Sequence, residues 1–172
     1  KKLTDETMTI FSPETTCLRR VKIRNAPLTK RGLRNLRSHK IIELEAVGLK
    51  HVTVNDLIGC LGEWTLSNLK TLNVMNSTLF NNVNEFCVVV ALSKLRNLRS
   101  LNVSHTEFNK NGLAIIAEDL PALESLDISC TTISDLSPLR KCKDRLKSLS
   151  MYNLRAILNK DVVSTICELK HL

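Results

Sequence analysis

At 172 residues, with 43% hydrophobic and 3% aromatic residues and a formal charge of +8, the chain suits one ordinary core or one stacked array of small units, and it is too poor in aromatics to be a stacking platform for single-stranded nucleic acid. No run of about 18 uncharged apolar residues is available to span a bilayer. The opening "KKLTDETMTIF" has no apolar stretch behind its two lysines, so the chain reads as soluble, not secreted and intracellular, in the cytoplasm or the nucleus.

Taken in chain order, "LTDETMTIF" from Leu3 resembles the back half of a repeat whose strand is missing. "LRRVKIRNAPL" from Leu18 to Leu28 then fits L-x-x-L-x-L-x-x-N/C/T-x-L, with Val21 and Ile23 in two of the leucine places. Thr29 is placed to cap a helix in "KRGLRNL". "IIELEAVGLKH" from Ile41 repeats the first half of the motif, and Thr53 introduces a helix in "VNDLIGCLGEW". "LKTLNVMNSTL" from Leu69 to Leu79 fits throughout and is followed by Asn82 before "VNEFCVVVALSKL". "LRSLNVSHTEF" from Leu98 to Phe108 fits again, with Asn109 before "KNGLAIIAEDL", where Leu113, Ile116, Ala117 and Leu120 recur at helical intervals. "LESLDISCTTI" from Leu123 to Ile133 leads into "SDLSPLRKC", which holds Pro138 and predicts only one or two turns. "LKSLSMYNLRA" from Leu146, a helix after Asn159, and a cut-off "LKHL" at Leu169 complete the series.

The motif starts at residues 18, 41, 69, 98, 123, 146 and 169, in steps of 23, 28, 29, 25, 23 and 23, inside the period of leucine-rich repeats. The expected fold is therefore an α/β leucine-rich-repeat solenoid over residues 1–172, with parallel strands on the concave side and helices on the convex side. Leu98, Leu101, Val103 and Phe108 are expected in the core, while Ser77, Thr106 and Thr131 are expected to bond loop backbone. Each unit buries its faces only against neighbours, so a chain opening and closing inside repeats reads as a piece of a longer solenoid.

The repeat also weighs the chemical candidates. Ser104, His105, Asp127 and Cys130 carry the residue types of nucleophilic catalysis, but Ser104 and His105 are neighbours at a strand end, with no oxyanion hole or Gly-rich elbow near them. His39, His51, His105 and His171 fall in different units without metal-ligand spacing and read as surface or loop residues. The six cysteines form no C-x-x-C pair and read as free, mostly buried thiols. No catalytic, metal or cofactor site is therefore expected.

Charge is more informative: residues 1–40 hold eleven Lys or Arg against three acids, whereas residues 41–172 hold fourteen of each. Arg19, Arg20, Lys22 and Arg24 decorate the first strand, and Arg31, Arg34 and Arg37 recur every three residues after it. These groups fit either a solvated surface, an acidic protein partner or, less well without a nucleic-acid module, phosphates. Down the rungs, the expected exposed columns are Lys22, Glu45, Asn73, Asn102, Asp127, Ser150 at the fifth place and Arg24, Val47, Met75, Ser104, Ser129, Tyr152 at the seventh. The candidate protein-contact set is Arg19, Arg20, Lys22, Arg24, Met75, His105, Asp127 and Tyr152, with Val47 as a further apolar member.

Several segments resemble one family, the Zyg-eleven proteins: "LTDETMTIFSPETT", "VKIRNAPLTKRGL", "VTVNDLIGCLGEWTLSNLKTLNV", "FCVVVALSKLRNLRSLNV", "EDLPALESLDIS" and "KCKDRLKSLSMYNL", which together cover most of the chain. The resemblance implies a substrate receptor of a cullin-two RING ubiquitin ligase. In that family an elongin-binding box docks elongin B and C with cullin-two, and armadillo-like repeats recognise substrate proteins with an N-terminal glycine. Neither part is present here, so the implied role is that of a non-catalytic connecting solenoid, with no membrane contact.

Overall fold

The computed structural model describes residues 3–11, 17–79, 91–154 and 159–172. Six parallel strands form one sheet in chain order: β1 (Arg20–Arg24), β2 (Glu43–Val47), β3 (Thr71–Asn73), β4 (Ser100–Asn102), β5 (Ser125–Asp127) and β6 (Ser148–Ser150). The leucines set the register, with Leu44, Leu72, Leu101, Leu126 and Leu149 aligned as direct partners across successive strands. Parallel neighbours in unbroken chain order require every connection to cross the same side, and this makes a solenoid.

Each strand offers alternate faces to core and solvent. The motif's first, fourth and sixth places are fully buried in the middle units (Leu98, Leu101 and Val103; Leu123, Leu126 and Ile128), while Val21, Leu149 and Met151 in the end units are only half-buried. Each inner unit has two neighbours and each outer unit only one, so the burial gradient follows from the one-dimensional architecture.

The helices begin where the sequence places their caps. Thr29 Oγ1 accepts the Arg31 N–H at 3.2 Å at the start of α1 (Lys30–Leu33), which tightens into a 3-10 turn over Arg34–Leu36. Thr53 and Asp56 close a reciprocal capping box on α2 (Val54–Gly59), and Asn109 accepts the Gly112 N–H at 3.0 Å to open α4 (Lys110–Asp119). The predicted single helix after Thr53 is in fact two, α2 and α3 (Glu63–Asn68). The break lies at Gly62, where a Cβ would overlap the Arg37 carbonyl oxygen, so two backbones meet where only glycine fits. A six-residue 3-10 helix over Ser137–Cys142 confirms the short connection around Pro138, and α5 spans Asn159–Glu168. The helix placed after Asn82 lies outside the described residues.

The segment before β1 folds as a 3-10 turn (Thr7–Ile10) that buries Met8. Asp5 fastens it: its carboxylate accepts the Thr29 N–H at 2.9 Å and the Thr29 hydroxyl. Burial acts to raise the Asp5 pKa, but the hydrogen bonds from Thr29 and from the Gly32 N–H outweigh it and hold the group below its ordinary value of 3.8. A depressed folded-state pKa stabilises the docked segment above the unfolded value and loses that contribution as pH falls through the folded one. The Met8 methyl resonance is therefore expected to lose its folded-state shift as pH drops below 3.8, ahead of global unfolding. Asp5→Asn should flatten that response, and an unchanged acid profile in the variant would remove Asp5 as the fastening group.

His39 corrects a sequence expectation. It is buried, with Nδ1 accepting the Leu18 N–H at 3.3 Å and Nε2 bonded to the Phe11 carbonyl oxygen at 2.8 Å. A neutral ring protonated on Nε2 satisfies both, so this histidine ties the leading segment to the first rung.

Candidate functional site

The strands carry their open side chains at the motif's third and fifth places, and these form the concave surface. From β3 to β6 the pairs are Thr71 and Asn73, Ser100 and Asn102, Ser125 and Asp127, Ser148 and Ser150, a trough of short hydroxyl, amide and carboxylate groups. From β1 to β2 the trough becomes charged and shallowly hollow, with a cavity of about 190 Å³ lined by Arg20, Lys22, Glu43, Glu45, Thr71 and Asn73 among others.

The basic strand is paired across the sheet. Arg20 meets Glu43 at 3.3 Å, Lys22 meets Glu45 at 3.4 Å, and Arg24 also binds Glu45. Exposed pairs of this kind contribute about 0–1 kcal/mol each, but two glutamates against three cations offset most of the local field that a polyanion would need. Arg19 does something else: its guanidinium lies 5.3 Å from the centroid of the Trp64 ring, with Lys40 Nζ at 5.9 Å from the same ring.

The fifth place has a structural duty. Asn73 Oδ1 accepts the Met75 N–H at 3.0 Å, Asn102 Oδ1 accepts the Ser104 N–H at 2.9 Å, and Asp127 Oδ1 accepts the Ser129 N–H at 3.0 Å. Asp127 Oδ2 in turn accepts from Asn102 Nδ2 at 3.2 Å. Both oxygens of the Asp127 carboxylate are thus engaged within the sheet.

The seventh place is less open than the sequence columns imply. Ser104 and Ser129 are buried rather than facing the curve, and Val47 is buried too. The Ser104 hydroxyl donates to Asn102 Oδ1 at 2.7 Å, while the Ser129 and Ser150 hydroxyls bond at 2.9 Å. The chain begins its turn away from the sheet here, so only the small or half-covered members fit beneath the lip. Met75 is half-buried, and only the two ends of the column, Arg24 and Tyr152, stand out, Tyr152 at 77% exposure.

The eighth place explains His105. Asn25, Asn76, His105, Cys130 and Asn153 all have φ between 48° and 55°, and Gly48 has φ 68°. Every unit reverses through one left-handed residue, a conformation that Gly and Asn tolerate best and His better than most. The backbone N–H groups there continue the ladder, as from His105 to the Ser129 carbonyl at 2.9 Å and from Cys130 to the Tyr152 carbonyl at 2.8 Å. His105 occupies a backbone position with its ring exposed, and Ser104 beside it is committed to Asn102. The structure therefore does not assemble Ser104, His105, Asp127 and Cys130 into a catalytic group. Among the described residues, no cluster of three or more His, Cys, Asp or Glu side chains has metal-binding geometry.

One feature of the site was missed in the sequence, and one expectation of it is met. The acids that neutralise β1 come from β2, and the signal was the adjacency of Lys22 and Glu45 in one column. The hydroxyls beyond the strand turn bond as their position demands: Thr106 and Thr131 donate to the carbonyls of Val103 and Ile128, and Ser77 donates to Ala46 O at 2.8 Å while accepting the Leu49 N–H at 3.0 Å.

Solved structures share this architecture at low identity. The chain is similar to an internalin C2 from Listeria monocytogenes (TM-score 0.59, 18% identity, 99% of this chain and 62% of that chain). It is similar to the tropomodulin C-terminal domain from Caenorhabditis elegans (0.54, 13%, 97% and 92%) and to a leucine-rich-repeat protein from Leptospira interrogans (0.51, 21%, 99% and 44%). The chain thus spans less than two thirds of the internalin and Leptospira chains, and these likenesses establish the solenoid fold alone. Among the described residues no helix is long and apolar enough to cross a membrane. The sequence profile of Zer-1-like leucine-rich repeats matches residues 41–138, more than half of the chain, in agreement with the Zyg-eleven resemblance of its segments; the chain belongs to the Zer-1-like leucine-rich-repeat family.

Proposed function

We propose that this solenoid is a non-catalytic protein-interaction segment of an intracellular substrate receptor in a cullin-two RING ubiquitin ligase. In this reading it holds an elongin-binding region and a substrate-binding region at a fixed distance and orientation. The family match carries the reading, and the unbroken six-strand sheet on one hydrophobic core supplies the stiffness a spacer needs. The substrates implied are proteins with an N-terminal glycine, bound outside this segment together with elongin B and C. The concave trough, with Asp127, Met75 and Tyr152 on or beside it, is the surface this reading offers to accessory proteins.

Affinity capture with the intact receptor and with a receptor lacking this segment tests the reading. The deletion is expected to retain elongin and substrate yet lose substrate ubiquitination. Undiminished ubiquitination by the deleted receptor would sink the spacer role. Loss of elongin or substrate would also count against it and place that contact in the solenoid. The competing nucleic-acid reading has less support, since Arg20, Lys22 and Arg24 are each paired with a glutamate.

A further inference from the structure

A second group of cations, without ion pairs among the described residues, lies on the other side of the solenoid from the sheet. A cleft of about 480 Å³ opens there between the Arg34–Leu36 turn and the α2–α3 corner, with Ala91 and Lys94 on its far wall. The three-residue spacing of Arg31, Arg34 and Arg37 matters at this point. In an α-helix such residues would drift around the axis, whereas in a 3-10 turn residues three apart eclipse. The chain switches to 3-10 geometry after Leu33, and the Arg37 N–H bonds the Arg34 carbonyl at 3.1 Å. Arg34 and Arg37 consequently line the same cleft, whereas Arg31 acts on Asp5 and Glu6 of the leading segment.

The carboxylates lining the cleft do not neutralise it. Asp56 is committed to Lys30 Nζ at 2.8 Å and to its capping box with Thr53, and Glu63 pairs with no cation among the described residues. Arg34, Arg37 and Lys94 likewise form no ion pair among the described residues, in contrast to the paired cations of β1. The framework is rigid where it counts, because Gly62 lets the α2–α3 corner pack directly on the Arg37 carbonyl. The lining exposes more polar than apolar surface, with Leu61, Leu66 and Ala91 among its apolar members. The buried Cys60 thiol also borders it; desolvation raises its pKa against the nearby charges of Arg34, Lys30 and Arg37, which leaves it an inert wall.

We propose that this convex cleft docks an acidic polypeptide segment, with Arg34, Arg37 and Lys94 receiving carboxylates and the few apolar lining residues meeting a short side chain between them. A peptide fits better than a compact polyphosphate for two reasons. The cations are split between the Arg34–Arg37 turn and Lys94 on the far wall of a wide opening, and Glu63 on the wall repels charge concentrated in one place. Guanidinium groups without internal partners bind carboxylates in the two-pronged manner that gives both strength and direction. The proposal is independent of the concave trough.

The test is fluorescence anisotropy of the chain with a short fluorescein-labelled peptide of repeated Glu-Glu-Leu triplets at low salt. Arg34→Glu with Arg37→Glu is expected to weaken binding about tenfold or more, Lys94→Glu by a smaller factor, and Lys22→Glu with Arg24→Glu not at all. The neutral pair Arg34→Gln with Arg37→Gln should weaken it by an intermediate factor, and thermal melts should show these exposed-site variants folded. Unchanged affinity in the folded double variant, or loss through the β1 variant instead, overturns the proposal. Tighter binding of pyrophosphate than of the peptide, abolished by the same substitutions, overturns it in favour of a phosphate site.

Discussion

Truncating Phe108 to alanine is expected to cost roughly 3–5 kcal/mol of unfolding free energy, the range for deleting a fully buried aromatic ring. Phe108 is 1% exposed and heads the largest side chains enclosed in the core. Its ring lies where a Cβ on Gly112 would come within 2.7 Å of Cε2, so α4 has been trimmed to glycine to admit it. Its backbone ties two units together: the carbonyl accepts the Thr132 N–H and hydroxyl, both at 3.0 Å, and the amide donates to Thr106 Oγ1 at 3.3 Å. A cavity at this place therefore weakens the stacking between units as well as the unit itself. Urea denaturation should show a lower midpoint. Tyr152→Ala at the exposed end of the sheet serves as control and should stay within about 0.5 kcal/mol of the parent. A loss of less than about 1 kcal/mol for Phe108→Ala would mean that the turn collapses freely onto Gly112 and that the ring does not key the units together.

The contrast between these two aromatics shows what a sequence of this type discloses. Repetition made the core legible, because each leucine place is sampled six times and full burial follows in the inner units, easing only in the end ones. The parallel sheet and the polar places beyond each strand followed from that phase. What escaped was the meaning of columns containing unlike residues. Asn, Gly, His and Cys share no chemistry, but they share the left-handed backbone of the eighth place, and a backbone angle leaves only a statistical mark on side-chain identity. The fifth place mixes Asn and Asp, two acceptors that serve the amide two residues on, so Asp127 reads as a surface charge until that bond is seen. Charge escaped differently: pairing of Arg20, Lys22 and Arg24 with Glu43 and Glu45 depends on strand register between segments 23 residues apart in their motif phase. His39 was hidden because one partner, Phe11, belongs to the leading segment that the motif does not describe, and the other is the backbone N–H of Leu18, which carries no side-chain signal.

The second large effect is expected at Thr65, where an isosteric change isolates one hydroxyl. Thr65 is completely buried in α3; its Oγ1 donates to the His39 carbonyl at 2.8 Å and accepts the Ile41 N–H at 3.1 Å. Through it the second unit's helix holds the backbone that leads into its own strand, β2. Thr65→Val keeps the shape but leaves a buried donor and a buried acceptor without partners, at about 1–3 kcal/mol for each. Thr65→Ser, which keeps the hydroxyl and loses one methyl, should cost about 1 kcal/mol. Thr165 supplies an internal comparison, since it too stands four residues before a motif leucine and is fully buried, yet its hydroxyl finds no partner among the described residues. Thr165→Val removes an unsatisfied group and is expected to be neutral or stabilising by up to about 1 kcal/mol. Opposite signs for one substitution at two matching places, measured by denaturant unfolding, would show that the hydroxyl's partners rather than its position set its worth. Equal effects at both places would refute that assignment and return Thr65 to the role of a packing residue.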